Sequence, residues 1–168
     1  MQPLFDPESL RGHEDVTFLE ETHTLDQEEF EAAYENLDSH VAVGVTNDEG
    51  EAMLMNDGSH GWTLTAFAVE PGNDWTDIGQ RGVEKLTGET VELACPELVR
   101  HIELSPEGKE NRQKSIYNVV VRAVPVEGRP VADEQTLKEE DIQDIGWFNE
   151  VPPEREGDVA DDIQLFVG

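Results

Sequence analysis

The segment at residues 61–88 constrains the fold of this chain more than any other stretch. Residues 62–69 are mostly apolar and β-favouring, and a Glu-Pro-Gly turn at residues 70–72 follows them. Asp74 can then cap a helix, and Gly88 is a natural stop at the helix C-terminus. The pattern therefore predicts a strand, a tight turn and a helix in direct succession.

Periodic apolar residues predict further elements on both sides of this segment. Asp26 and Glu29 form a capping box ahead of an apolar stripe with helical spacing, and valines at alternate positions predict strands. The predicted strands lie at 16–19, 41–45, 51–55, 62–69, 91–93, 98–104, 117–124 and 142–148, the helices after Asp26, at 74–87 and at 158–166, and the loops at 106–114 and 127–139.

These elements predict an α/β (α+β) fold with a mixed sheet of six or more strands and two or three helices. The length of 168 residues suits a single domain over residues 1–168 and allows a sizeable core. Residues 1–15 are polar and carry turn signals, so we expect an irregular N-terminal arm there.

The formal charge of −28 comes from 39 acidic residues against 11 basic ones, and the acids are spread along the chain. Two interpretations compete, a disordered acidic chain and a folded protein from a high-salt cytoplasm. The periodic apolar runs favour the second, because at molar salt the Debye length falls to about 3 Å and the acidic surface repels itself weakly. A halophilic archaeon is the expected source. The charge argues against nucleic acid as a partner, since no basic stripe is visible.

Cysteine and hydropathy bear on the compartment. Cys95 is the single cysteine, so an internal disulfide is excluded and a reducing, cytoplasmic setting is expected. By default we expect this thiol to be buried and structural. No apolar run approaches the roughly 18 residues of a membrane span, so we predict no membrane association.

The segment at 61–88 resembles the Nudix box, the signature of the MutT-like Nudix hydrolase superfamily. The box reads Gly, five residues, Glu, seven residues, then Arg-Glu-apolar-x-Glu-Glu-x-Gly-apolar. Gly72, Arg81 and Gly88 match its structural positions. A preceding hairpin at 41–55 and a late strand ending in Trp-Phe at 141–148 extend the resemblance to roughly residues 40–152. The resemblance implies a Nudix-type α/β/α sandwich.

The carboxylates of the box are missing. Phe67 replaces its leading glycine, and the four box glutamates are replaced by Asn73, Gly82, Lys85 and Leu86. In Nudix enzymes such carboxylates hold Mg²⁺, which neutralises the diphosphate and activates water. The resemblance therefore implies a degenerate active site with little standard hydrolysis.

Two functions remain open at this point. In the first, the protein binds a nucleotide-like ligand or a protein and needs no cofactor. In the second, it is a hydrolase of a nucleoside diphosphate linked to another moiety, and it uses Mg²⁺. Non-standard carboxylates would then act, with Glu70 and Glu84 as metal ligands or catalytic groups and Glu107 and Glu110 as loop bases.

A plainer interpretation applies to most of these residues. Trp75, Gly79, Gly82 and Leu86 share one helical stripe, which is typical of a packing face within the domain or against a second copy in a homodimer. Glu84 can pair with Arg81 on the helix surface, and the loop glutamates can be solvated side chains of an acidic protein.

Overall fold

A seven-stranded mixed sheet forms the centre of the protein in the computed structural model, which describes residues 1–59, 61–108 and 112–167. The strand order across the sheet is β1-β5-β6-β2-β4-β3-β7. The strands are β1 (Thr17–Leu25), β2 (Ser39–Gly44), β3 (Ala52–Asn56), β4 (Trp62–Val69), β5 (Leu93–Pro106), β6 (Lys114–Ala123) and β7 (Asp144–Phe148).

Helices lie on both sides of this sheet, which gives the predicted mixed-sheet sandwich. They are α1 (Gln27–Asn36), α2 (Trp75–Thr87), α3 (Glu134–Glu139) and α4 (Gly157–Gln164), and a 3-10 helix precedes β1 at Pro7–Leu10. Within the part of the chain that the structure describes, no helix has the length and apolarity that a membrane crossing needs.

Strand alternation divides the core into two halves. Val41 and Val43 of β2 point to the side of α2, whereas Ala42 between them belongs to the cluster under α4. The same split separates Val119 from Val120 on β6. We call the two sides the α2 face and the α4 face of the sheet.

Helix α2 begins and ends as the sequence predicts. The Asp74 carboxylate accepts a hydrogen bond from the Thr76 amide at 3.0 Å, which satisfies one of the free amides of the first turn. Gly88 ends the helix in the left-handed conformation with φ of 75°, where a side chain would be strained. The predicted helix over residues 74–87 is confirmed.

The N-terminal segment, residues 1–11, is tied to the domain despite its polar sequence. Leu4 is buried, its amide donates to Asp74 Oδ1 at 2.9 Å, and its carbonyl accepts from the Trp75 amide at 2.7 Å. Further along, Glu8 accepts hydrogen bonds from Arg11 and from the Tyr117 hydroxyl. The segment therefore helps to cap α2 and to cover the α2 face.

Three of the predicted elements differ clearly from the structure. The strands predicted separately at 91–93 and 98–104 are replaced by one strand, β5, which begins only at Leu93 and whose pairing with β6 shifts register near Cys95 and Leu98. The predicted loop at 127–139 contains α3, capped by Asp133. The short strand at 16–19 continues as β1 through Leu25 because it pairs in parallel with β5 over its whole length.

Candidate functional site

On the α2 face, the ring of Phe67 lies where a side chain on Gly82 would have to stand. A β-carbon placed on Gly82 would come within 2.6 Å of the Phe67 ring. In the Nudix pattern these two positions carry a glycine and a glutamate. Here the Phe67 ring fills the volume that a side chain at residue 82 would need. The large side chain at residue 67 therefore goes together with the absence of one at residue 82.

The side chains at the other two box positions of α2, residues 85 and 86, make contacts of their own. Leu86 is only 1% exposed and lies in the core cluster with Val83. Lys85 points to solvent and pairs with Glu140 at 3.6 Å. Gly79 faces Val43 and Leu93, where an added β-carbon would meet side-chain atoms at 3.2 and 3.3 Å. The stripe is therefore a packing face within the domain, as one of the two packing alternatives predicts.

The predicted pairing of Glu84 with Arg81 was wrong. Arg81 pairs instead with Asp77 one turn earlier, at 2.6 Å. The Glu84 carboxylate turns toward the start of the next segment and accepts a hydrogen bond from the Val91 amide at 3.0 Å. Glu84 thus anchors the connection that follows α2, a contact that helical spacing could not indicate.

The remaining candidate carboxylates are dispersed. Glu70 is exposed at the turn after β4, and Glu107 is exposed at the end of β5, where its amide bonds to the Leu25 carbonyl. Glu110 lies outside the described residues. Among residues 1–59, 61–108 and 112–167, no three His, Cys, Asp or Glu side chains are arranged to hold a metal ion. The residues that are described do not fit the Mg²⁺ site of a Nudix enzyme.

The glycines of the box keep a backbone role. Gly72 adopts φ of 87° in the turn between β4 and α2, and Gly88 ends α2 in a similar conformation. These left-handed positions set the turn and the stop of the helix, and they need no ligand to explain them.

A cleft of about 430 Å³ opens on the α4 face of the sheet. Its floor crosses three adjacent strands, since Ala42 on β2 stands beside Ala66 on β4 and beside Val120 on β6. The small side chains leave room above the sheet. Val159 of α4 forms one wall. The cleft therefore has a flat apolar floor and a helix along one side.

Polar groups line the next row of the same cleft. His40, Asn118 and Arg100 lie side by side on β2, β6 and β5. Arg100 is 5% exposed, and it pairs with Asp162 of α4 at 2.8 Å and with Asp158 at 3.5 Å. A buried guanidinium of this kind requires a charged partner, because an unpaired charge in a core is strongly unfavourable.

The ion pair is only partly solvated. Burial raises the pKa of the Asp162 carboxyl, and the charge of Arg100 offsets this effect in part. Two polar atoms on cleft residues are buried without a hydrogen-bond partner, namely Asp162 Oδ1 and Arg155 Nε. One is an acceptor and the other is a donor.

Sequence reasoning missed this site altogether. Arg100, Arg155 and Asp162 lie far apart in the chain and match no motif. One weak signal was present: an arginine in the interior of a predicted strand must find a carboxylate if it is buried. The sequence does not indicate that this carboxylate comes from the last helix.

Cys95 is exposed, so the prediction of a buried thiol was wrong. It lies where β5 shifts register, which turns its side chain outward. Desolvation, followed by the charge of Glu97, raises the pKa of this thiol. It is therefore not an activated nucleophile.

Comparison with known proteins shows the fold. No family model and no curated protein sequence matches the chain. The solved structure of an E. coli dihydroneopterin triphosphate pyrophosphohydrolase is similar, with a TM-score of 0.51 and 14% identity over 77% of this chain and 94% of that one. A MutT protein from Methanosarcina mazei Go1 has a TM-score of 0.46 and 14% identity, over 79% of this chain and 78% of that one. A Nudix hydrolase from Nitrosomonas europaea has a TM-score of 0.41 and 16% identity, over 66% and 71%. The sheet order and the first of these likenesses show a Nudix-type fold.

Proposed function

We propose that this protein binds a nucleotide-like small molecule in the cleft on the α4 face and does not carry out standard Mg²⁺-dependent Nudix hydrolysis. One observation carries the proposal. The box positions that would hold the metal are filled by the Phe67 ring against Gly82 and by the buried Leu86, while an unfilled cleft remains on the other face.

Loss of the metal site has a direct chemical consequence. In a Nudix enzyme, Mg²⁺ is bound by carboxylate oxygens on one face of the box helix. The bound ion stabilises the charge that develops on a diphosphate. Lys85 instead adds a cation near the missing ligands. A unit charge and a divalent ion about 4 Å apart repel by roughly 8 kcal/mol at an effective dielectric of about 20. Lys85 avoids this only by turning away, as its contact with Glu140 shows.

The cleft suits a flat ligand with polar edges. Its volume of about 430 Å³ falls within the usual range of small-molecule pockets. Alanines on the floor allow a planar ring to lie against the sheet. Asn118 and His40 stand at the edge of that floor, where their polar atoms can contact heteroatoms of a ring.

A titration with a nucleotide panel at molar salt tests the proposal. Binding is followed by calorimetry and turnover by release of phosphate or nucleoside monophosphate, each with and without Mg²⁺. We expect binding that is independent of Mg²⁺ and turnover at the background level. Ala66→Leu, which fills the floor, should abolish binding without changing the fold.

Robust turnover that requires Mg²⁺ would overturn the proposal and would support the hydrolase alternative. Single alanine substitutions of Glu70, Glu84, Glu107 and Glu110 would then identify the groups that replace the box carboxylates. If no member of the panel binds, the proposal that the cleft is a binding site is also contradicted.

We further propose that the protein works in a high-salt cytoplasm. The charge of −28 supports this, because self-repulsion weakens the folded state unless salt screens it. Stability against urea should increase steadily from 0.1 M to 2 M KCl, as measured by circular dichroism. Equal stability at both salt concentrations would contradict the proposed adaptation to high salt.

A further inference from the structure

A serine, a histidine and two carboxylates meet beside the N-terminal segment, on the opposite side of the sheet from the cleft. The Oγ atom of Ser115 on β6 lies 2.6 Å from Nε2 of His101 on β5. Across the ring, His101 Nδ1 lies 3.9 Å from Glu8 Oε1 and 3.8 Å from Glu20 Oε2. A nucleophile in contact with a base, and a base that faces a third group, is the arrangement that activates a serine for covalent catalysis.

The carboxylates indicate which nitrogen of the ring carries the proton. Nδ1 of His101 is buried, has no hydrogen-bond partner among the described residues, and faces both Glu8 and Glu20. Nε2 has Glu103 at 3.8 Å and the Ser115 hydroxyl at hydrogen-bond distance. Two acids on one side against one on the other favour the proton on Nδ1 in the neutral ring. Nε2 then accepts the hydroxyl proton of Ser115, as a general base must.

The base is held firmly in this position. His101 is 8% exposed, and its ring stacks on that of Tyr117 with centroids 4.5 Å apart and an angle of 9° between the planes. The Tyr117 hydroxyl donates to Glu8 at 2.7 Å, and Arg11 pairs with both Glu8 and Glu20. Three strands and the N-terminal segment therefore fix the ring and its acids before any substrate is present, which is the pre-organisation that catalysis needs.

The serine opens on a cavity of about 290 Å³. Ser115 is exposed, and Phe5 and Leu37, which are 62% and 37% exposed, contribute apolar surface to the same cavity. Exposed large apolar side chains around a concave site are typical of binding surfaces. The charged side chains of the lining are two acids and one base, namely Asp38, Glu70 and Lys114. The cavity therefore suits a small apolar group without a negative charge.

We propose that Ser115 and His101 form an acyl-transfer site that hydrolyses uncharged esters with a short apolar acyl group. Ser115 Oγ attacks the ester carbonyl carbon while His101 Nε2 takes its proton, and the alcohol leaves with that proton. Water then gives a proton to Nε2 and attacks the acyl-serine, which releases the carboxylic acid and restores the Ser115 hydroxyl. Glu8 and Glu20 position the ring and stabilise its charged form. The site is separate from the α4-face cleft and does not depend on the function proposed for that cleft.

Two probes at 2 M KCl test the role of the serine. Hydrolysis of p-nitrophenyl butyrate measures turnover, and a fluorophosphonate, which loses fluoride to a nucleophilic serine, measures covalent capture by peptide mass. We expect the wild type to hydrolyse the ester and to be labelled on Ser115, and Ser115→Ala to lose both while its circular dichroism stays unchanged. Ser105→Ala is the matched control, because Ser105 is a half-buried serine of β5 that does not line the cavity. Absence of label on Ser115, or equal turnover in the wild type and Ser115→Ala, would overturn the proposal.

The pH dependence of labelling tests the role of the histidine. In the wild type the labelling rate should increase between about pH 5 and 8, as His101 loses the proton that blocks Nε2. The charged groups that face the ring are Glu8, Glu20 and Glu103. His101→Gln should lower the rate at pH 8 by about 100-fold or more and remove its pH dependence. A wild-type rate that does not vary with pH would contradict the proposal even if His101→Gln failed to fold, and so would a folded His101→Gln protein labelled at the wild-type rate.

Discussion

The two faces of the central sheet differ in how their helices cover them. On the α2 face, Trp75, Val83 and Leu86 pack against the sheet, and the N-terminal segment closes the remaining edge. On the α4 face, helix α4 covers Ala52, Leu54 and Leu98 but leaves the strip above Ala42 open. The comparison teaches that a helix whose inner stripe carries no carboxylate can serve as a core element, and that the open cleft of this molecule lies on the opposite side of the sheet.

The largest effect should come from restoring a box carboxylate inside the α2 face. Leu86→Glu places a charge where the wild-type side chain is 1% exposed, and it should destabilise the fold by about 4 kcal/mol. Urea unfolding at 2 M KCl measures the change.

Lys85→Glu is the matched control for that variant, since residue 85 is exposed on the same helix. Its effect should stay within about 1 kcal/mol. A folded Leu86→Glu protein with wild-type stability would show that the α2 face is looser than its packing indicates.

On the α4 face, breaking the buried ion pair should cost somewhat less. Asp162→Asn leaves Arg100 without its closest charged partner and should destabilise the protein by about 3 kcal/mol. Asp158→Asn, at the more exposed and longer contact, should cost less than about 1 kcal/mol. Similar values for both variants, from urea unfolding, would mean that Arg100 is solvated rather than buried.

The contact between Phe67 and Gly82 can be tested by a substitution whose effect on stability should change sign with the residue at position 67. Gly82→Ala should destabilise by about 2 kcal/mol because its methyl group meets the Phe67 ring, although alanine favours a helix by about 1 kcal/mol. In a Phe67→Ala background the same change should become stabilising. A double-mutant cycle measures the coupling, and additive effects would rule out the steric exchange.

The smallest effect concerns the N-terminal segment. Hydrogen bonds from Arg11, then from Tyr117, lower the pKa of Glu8 from 4.5 to about 2. A carboxylate with a lowered pKa stabilises the folded state above pH 4.5, and this contribution is lost as the pH falls toward 2.

Glu8→Gln removes that contribution at any pH. The wild type should therefore unfold at a higher temperature than Glu8→Gln at pH 6, and the difference should vanish near pH 2. Comparing the two proteins at each pH cancels the titration of the other carboxylates. A difference that persists at pH 2 would show that the amide change, and not the charge, is responsible.

The sequence predicted local features of the fold better than distant ones. Asp26, Asp74 and Gly88 mark helix ends because capping involves neighbours in the chain, and the structure confirms all three. The α3 helix was missed because its six residues bury nothing and leave no apolar period.

The sequence could predict which residues the candidate site lacks, but not where the cleft lies. The missing box glutamates are visible in the sequence, and the packing of Leu86 agrees with the apolar stripe. The cleft depends on contacts between β5 and α4, separated by about sixty residues, where Arg100 meets Asp162. Neither spacing nor composition encodes which two distant charges will be buried together.

The docking of the N-terminal segment has a consequence for how the chain folds. Leu4 bonds to the start of α2 and Glu8 bonds to Tyr117, so this segment depends on residues that are synthesised much later than it is. Closing such long loops is slow, because their entropy is lost before the contacts form. During synthesis the segment must therefore wait until β6 has emerged, and its docking should be among the last steps of folding. Until then the first turn of α2 lacks the partner that Leu4 provides.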